Sequence, residues 1–243
     1  MTTTDTTEDA RRVSRNLDAV VVRLSDSVTI IRGDCRDVLP VECDAVVTDP
    51  PYKGYDDYAW EYHDLAAMPP CLTGVHGFWC WSGGPFPLAW TARHVWSKAN
   101  RNIGKNAEQY EEVYEVNGGK TGLVFRHAVI DSDMNATLNG DIFLNHPCQK
   151  PIRLIQRLVD KTKGTVCDPF MGSGTTGIAC IRTGRKFIGI EKSPEYFQIA
   201  KDRLTRELAQ GLLPLRQGKA DQTTEARCES LFQESDDNGG KQP

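Results

Sequence analysis

Apolar positions along this chain follow two rhythms. Short β-branched runs dominate the first half, and helical spacing joins them in the last third. Ala19 to Arg23 and Ser27 to Arg32 flank Ser25-Asp26 and predict a hairpin or two short strands. Ala45 to Thr48 is a short, largely apolar run of the kind buried in a parallel sheet, and Gly77 to Trp81 is another. Between them, Lys53 to Gly74 is loop-rich and broken by Pro69-Pro70. Glu111 to Val116 alternates as a strand does. Asn117-Gly118-Gly119-Lys120 is a turn signal, and Leu123 to Phe125 reads as the strand that pairs with the preceding run. Ser132 to Asn145 is polar and predicts loop.

The last third is cleaner. Pro151 opens a helix, where its missing N–H costs nothing, and Ile152, Ile155, Leu158 and Val159 share one helical face before Gly164. Thr165 to Cys167 predicts a strand, Asp168 to Gly174 a loop, and Thr175 to Thr183 a helix closed by Gly184. Lys186 to Ile190 predicts a strand ending at Glu191. Ser193-Pro194 caps a final helix along which Tyr196, Ala200, Leu204 and Leu208 recur every fourth residue. Strands alternating with helices across short turns predict an open, doubly wound parallel sheet covered by helices. Residues 1–16 and 216–243 are polar and read as tails around a single domain at 17–215, with any target-recognition segment within about 93–145.

Charge and cysteines refine this only slightly. The net charge of the 243 residues is -4, which excludes a uniformly basic nucleic-acid binder, but the ends are more acidic than the body. Arg93, Lys98, Arg101 and Lys105, with His94 and no acid among them, form a basic cluster. The eight cysteines contain no C-x-x-C pair, so a tetrahedral zinc site is poorly supported and no metal is expected. The start MTTTDTTEDARR lacks the basic-then-apolar order of a signal peptide, and no apolar run approaches the roughly 20 residues that span a bilayer. A cytosolic protein with reduced thiols, away from membranes, is expected.

Two loops carry the chemistry. In open sheets of this kind, ligands sit outside the carboxyl ends of the strands, where Asp168 to Gly174 falls. Gly172 and Gly174 allow a tight turn and close approach to a ligand. Glu191 ends the next strand, placed to accept hydrogen bonds from a ribose diol. No Gly-Lys-Ser/Thr follows the glycines, as a phosphate loop requires. Gly172, Gly174 and Gly177 do fit G-x-G-x-x-G, so spacing alone leaves a dinucleotide open. Asp168-Pro169 argues against it, because a carboxylate at the loop mouth repels a pyrophosphate and favours a ligand with an amino group or sulfonium. S-Adenosylmethionine has both, and a ribose diol.

The second loop is Asp49-Pro50-Pro51-Tyr52. Neither proline has an N–H, and Pro51 forces Pro50 to be extended, so the Pro50 carbonyl is held rigid as an acceptor beside the Asp49 carboxylate. Tyr52 supplies a flat face. Two acceptors and a ring match an exocyclic amino group on a nucleobase. They free its lone pair and stabilise the positive charge that grows there during transfer. Stacking contributes about 1–3 kcal/mol toward the few kcal/mol needed to extract a base from a duplex.

Taken together, Gly33-Asp34-Cys35, Thr48 to Tyr52, His146 to Pro151, Asp168 to Thr176 and Gly189 to Glu191 resemble the amino-methylating DNA methyltransferases, in the permuted, beta-type order. The resemblance runs over roughly Val28 to Leu208. It implies a Rossmann-like, seven-stranded, mostly parallel sheet with the Asp49 strand beside the Asp168 strand. It also implies transfer of a methyl group from S-adenosylmethionine to adenine N6 in double-stranded DNA. Asp49, Pro50, Pro51 and Tyr52 would be catalytic. Asp34 would reach the cofactor's adenine. Asp168, Phe170, Gly172, Ser173, Gly174 and Thr175 would hold its methionine part. His146, Gln149 and Lys150 would close that pocket, and Glu191 would take the ribose. Arg93, Lys98, Arg101, Lys105, Lys120 and Arg126 are candidates for DNA contact. Cys148 departs from the threonine common in its stretch. Asp at position 49 points to adenine, with N4 of cytosine and a catalytically silent DNA-binding protein as the alternatives. C5-cytosine chemistry would need a Pro-Cys nucleophile, and neither Pro70-Cys71 nor Pro147-Cys148 ends a predicted strand. The setting implied is a bacterial or phage-infected cell. The oligomeric state stays open, a homodimer included.

Overall fold

A computed structural model describes residues 19–51, 70–81, 85–98, 110–127 and 149–211. Nine strands form one sheet: β1 (Val20–Arg23), β2 (Val28–Arg32), β3 (Ala45–Thr48), β4 (His76–Trp81), β5 (Ala92–Lys98), β6 (Tyr110–Val116), β7 (Val124–His127), β8 (Thr165–Asp168) and β9 (Lys186–Glu191). The described helices are α1 (Cys35–Val38), α2 (Pro70–Thr73), α3 (Ile152–Asp160), α4 (Thr175–Thr183) and α5 (Pro194–Gly211). A compact unit ends at Gln210. Of the second unit, Gly211–Pro243, only Gly211 is described, as the last residue of α5. Among the described residues no helix is long and apolar enough to cross a membrane.

The strand order is β1-β2-β9-β8-β3-β4-β6-β5-β7. Its central seven, β2 to β5, match the expected sheet: β2, β9, β8, β3 and β4 are mutually parallel, β6 is antiparallel to β4, and β5 is antiparallel to β6. The expected seven strands become nine because each edge carries one more. β1 folds back on β2 as the predicted hairpin, and β7 adds in parallel to β5.

One expectation at that second edge needs correction. The Leu123–Phe125 run does not pair with β6, because β6 is already flanked on both sides by β4 and β5. Instead the chain crosses the end of β5. The Leu123 amide donates to His94 Nδ1 at 3.1 Å, and the Val95 amide donates to the Leu123 carbonyl at 2.9 Å, which starts β7 on the far side of β5. The basic stretch beginning at Arg93 is a strand over its first six residues. Ala92, His94 and Trp96 face inward with a period of two, and burial of the polar His94 hid that period.

Burial explains why these segments adopt these elements. One face of the sheet, with Ile30, Val47, Phe78 and Trp96, packs under α3, α4 and α5 through Leu154, Leu158, Ile178 and Leu204. The other face gathers Ile31, Val46, Trp79, Trp81, Phe86 and Tyr114 around α1 and α2. Phe86 stacks on Tyr114 with centroids 4.4 Å apart, and the half-exposed Trp90 meets the same ring edge-on. Trp79, Trp81 and Trp96 are therefore core, while Trp90 is half-exposed.

Helix ends follow the local chemistry. Asp34 caps α1 by accepting from the Arg36 amide at 3.0 Å, and Gly184 ends α4 in the left-handed region at φ 68°. α3 stops at Asp160, earlier than the Gly164 boundary. Gly164, at φ 67°, makes the turn into β8 instead.

Candidate active site

The site lies where β3 and β8 adjoin, at their carboxyl ends. Ala45 pairs with Val166 and Val46 with Cys167, so Thr48 and Asp168 finish the two strands side by side. The Thr48 hydroxyl donates to Asp168 Oδ1 at 2.7 Å, and the Phe170 amide donates to the same oxygen at 3.1 Å. Asp168 is 3% exposed. Burial pushes its carboxyl up to about 6, against hydrogen bonds from Thr48, Thr176 and Phe170 that favour the charged form. An ionised carboxylate here would be stabilised by a cationic group brought beside it.

The glycine loop leaves Asp168 and is built for close approach. Gly172 sits at φ 52° and Gly174 at φ 86°, both in the left-handed region. Among the described residues, a Cβ at Gly172 would find only the Phe170 carbonyl, 3.9 Å away, whereas one at Gly174 would press on Ala200 Cβ at 3.1 Å. Gly172 is thus open on its free side, and Gly174 lets the loop lie against α5. The loop has two anchors. The Gly172 amide donates to Glu191 Oε2 at 2.8 Å, and the Ser193 amide donates to Oε1 at 2.7 Å. Burial raises the Glu191 carboxyl. The Lys192 amide also donates to this carboxylate, so about one of its four acceptor positions remains for a ribose hydroxyl. From the other side, Arg203 Nη1 donates to the Ser173 carbonyl at 2.7 Å and to its hydroxyl at 3.1 Å.

Asp49 follows β3 directly, and Pro50 is buried behind it. The Asp49 carboxylate, 24% exposed, accepts from Lys150 Nζ at 2.6 Å. Lys150 also lies 3.2 Å from Glu111 Oε2, and the other oxygen of Glu111 is 2.8 Å from Lys98 Nζ. The Trp96 ring lies beneath both ammonium groups, 5.5 Å from Lys98 and 5.9 Å from Lys150. Burial alone would depress the Lys150 ammonium, but the Asp49 and Glu111 carboxylates outweigh it and raise it above the ordinary lysine value. Burial likewise opposes the charge on Glu111, and the two lysines offset this and lower its carboxyl.

These contacts revise several expectations. Lys150, expected in the cofactor pocket, grips Asp49. Lys98, expected on DNA, is 10% exposed and paired with Glu111. Lys120 lies in the turn after β6, which is antiparallel to β4. The Asn117 side chain there donates to the Thr73 and Val75 carbonyls ahead of β4, so Lys120 sits at the end of the sheet opposite Asp49. Arg93 pairs with Glu112 at 3.2 Å, and Arg126 is exposed on β7. Asp34 is held by Arg36 at 2.6 Å and Lys192 at 3.0 Å, and the Arg36 side chain leads in keeping its carboxyl well below the usual range. Gln149 is buried next to Lys150. Tyr52, Arg101, Lys105 and His146 lie outside the described residues.

Thr48, Glu111 and Arg203 were missed. Thr48 is adjacent to the acid and polar at the end of an apolar run. Arg203 interrupts the apolar face of α5 between Ala200 and Leu204.

Both loops open at the switch point of a doubly wound sheet, where such sheets bind their ligands. A family model described as DNA methylase, of the N6/N4 amino-methyltransferases, matches residues 78–202, and the chain belongs to that family. It is 34% identical over 128 residues to the type II methyltransferase M2.LlaDCHI of Lactococcus lactis subsp. cremoris, covering 49% of this chain and 43% of that protein. To the DNA adenine methyltransferase YhdJ of Escherichia coli (strain K12) it is 46% identical over 67 residues, covering 26% of this chain and 23% of that one. The chain thus spans less than half the length of these relatives. The fold matches the crystal structure of an M1.HpyAVI–SAM complex with a TM-score of 0.53 and 26% identity, over 73% of this chain and 100% of that one.

Proposed function

We propose that this protein transfers a methyl group from S-adenosylmethionine to adenine N6 in double-stranded DNA, acting on a base flipped out of the helix. The observation that carries this is the join between the two loops. Asp49 and Asp168 stand at the ends of neighbouring parallel strands, and the 2.7 Å bond from Thr48 to Asp168 couples them. An amine-holding corner and a cation-favouring pocket therefore open on the same rim.

The residues present fit the cofactor. Asp168 is a buried carboxylate raised to about 6, suited to an ammonium. Gly172 leaves open space for a close approach. Glu191 keeps an acceptor position for a ribose hydroxyl. When bound, S-adenosylmethionine supplies an electrophilic methyl group on its sulfonium. The chain supplies placement, which is the larger part of such catalysis. Asp49 and the Pro50 carbonyl accept the two N–H bonds of the target amine and stabilise positive charge developing on its nitrogen. Tyr52 stacks the extruded base. Arg126 and the segment bearing Arg101 and Lys105 meet phosphates. The adenine assignment is supported by Asp at position 49 and by the likeness to YhdJ, a DNA adenine methyltransferase.

The test is transfer of a labelled methyl group to DNA, followed by digestion to nucleosides and mass measurement. N6-methyladenine is the expected product, and N4-methylcytosine would replace the base assignment. Asp49→Ala is expected to abolish transfer while calorimetry shows intact cofactor binding. Full activity in that variant contradicts the assignment of Asp49.

A further inference from the structure

We infer that Glu111 and Lys150 are positioning residues for methyl transfer: Glu111, itself anchored by Lys98, aims the Lys150 ammonium at Asp49 and so fixes the carboxylate that receives the target amine. This deepens the proposed function and rests on it.

Four charges of alternating sign run from the sheet to the corner: Lys98, Glu111, Lys150, Asp49. Their separations are 2.8, 3.2 and 2.6 Å. Side-chain exposure is 10% for Lys98, 12% for Glu111 and 6% for Lys150. A buried row of this kind exists only because each cation has an anion beside it.

The members differ in rigidity. Lys98 and Glu111 belong to adjacent antiparallel strands, β5 and β6, whose register sets Trp96 opposite Glu111. Lys150 and Asp49 lie outside regular elements, immediately before Pro151 and after β3. A lysine stem has four rotatable bonds, so without a fixed partner its ammonium samples many positions. Glu111 supplies that partner from the sheet, and the Trp96 ring limits the ammonium from below. Asp49 thereby inherits its orientation from two hydrogen-bonded strands near the second edge of the sheet, through one intervening side chain.

Glu111 has a second effect. It shares the Lys150 charge, so Lys150 does not by itself cancel the negative charge that Asp49 presents to a nitrogen becoming positive. A carboxylate offers about four acceptor positions, and the lysine takes one of them.

The test compares single-turnover methyl transfer at saturating DNA and cofactor in Lys150→Met, Lys150→Arg and Glu111→Gln, alongside cofactor affinity and thermal unfolding. Displacement of a positioned group by about 1 Å costs on the order of 100-fold. Lys150→Met is expected to lose about 100-fold in rate and Glu111→Gln about tenfold, with cofactor Kd within about twofold of wild type. Lys150→Arg, which keeps the charge, is expected to recover part of the rate.

A Glu111→Gln chain that folds and transfers at the wild-type rate overturns the inference. So does a parallel loss of cofactor affinity in Lys150→Met, which would move Lys150 into the cofactor pocket. Should Lys150→Met fail to fold, Glu111→Gln decides, since it keeps the native shape. A wild-type chain inactive on every DNA tested overturns the proposed function as well, and that control separates the two failures.

Discussion

The buried Asp168 carboxyl makes a quantitative prediction for the ligand-free protein. Its value in the fold, about 6, lies above the ordinary 3.8. This difference corresponds to about 3 kcal/mol of destabilisation at neutral pH. The sign follows from the direction of the shift. A raised carboxyl contributes stability that is fully present below its unfolded value, near 4, and lost as pH rises through about 6. Acidifying from pH 7.5 to pH 5 should therefore return about 1.4 kcal/mol from this group alone, or about 3–5 °C in Tm for a domain of this size.

Other groups titrate over the same range. Burial also raises Glu191 and lowers His94 and His127 from the ordinary histidine value. The informative quantity is therefore the difference between wild type and Asp168→Asn, which keeps an acceptor for Thr48 but has no charge to bury. Thermal unfolding of both proteins at pH 5.0, 6.0 and 7.5 measures it. Wild type is expected to gain about 1.4 kcal/mol relative to the variant between the two extremes. A difference that stays constant with pH refutes the claim that Asp168 is held in a desolvated, charge-disfavouring site.

Three further predictions concern the loop and the DNA face. Gly174→Ala forces a side chain to φ 86° with Ala200 Cβ 3.1 Å from the new atom, so a loss of about 1–3 kcal/mol in chemical denaturation is expected. Arg203→Met removes both hydrogen bonds to Ser173 and should weaken cofactor binding about tenfold in calorimetry, with Asp49 untouched. Lys120→Glu, at the end of the sheet away from Asp49, should leave DNA affinity within about twofold in a salt-controlled binding assay.

Much of the site was legible because local chemistry fixed it. Asp-Pro-Pro determines its own backbone whatever surrounds it, and Asp168 to Gly174 reads as a loop because strand and helix signals end on either side. The final third followed sequence closely, since each of its helices has a proline or glycine at an end and an apolar face of its own. The second edge of the sheet was less legible. Its inward positions include His94 and Glu115, which are buried only because they meet each other. His94 Nε2 lies 3.0 Å from Glu115 Oε2, and His76 lies 2.8 Å from the other oxygen. Neither residue announces a core position alone. Lys98 and Lys150 were assigned to partners outside the chain for the same reason. A lysine in a sequence looks solvated until the fold brings Glu111 and Asp49 to it.

The middle of the sheet is stitched from distant parts of the chain. Thr48 and Asp168 bond across a separation of 120 residues, and β2 zips onto β9 over a still longer span. Entropy of loop closure must be met before either pairing yields its stabilisation, which makes this a topology of high contact order. A ribosome-bound chain that stops short of β8 therefore has the Asp49 corner flanked by β4 on one side but lacks the strand that carries Asp168 on the other. The paired site comes into being late in synthesis, when β8 and β9 slide between the strands made first.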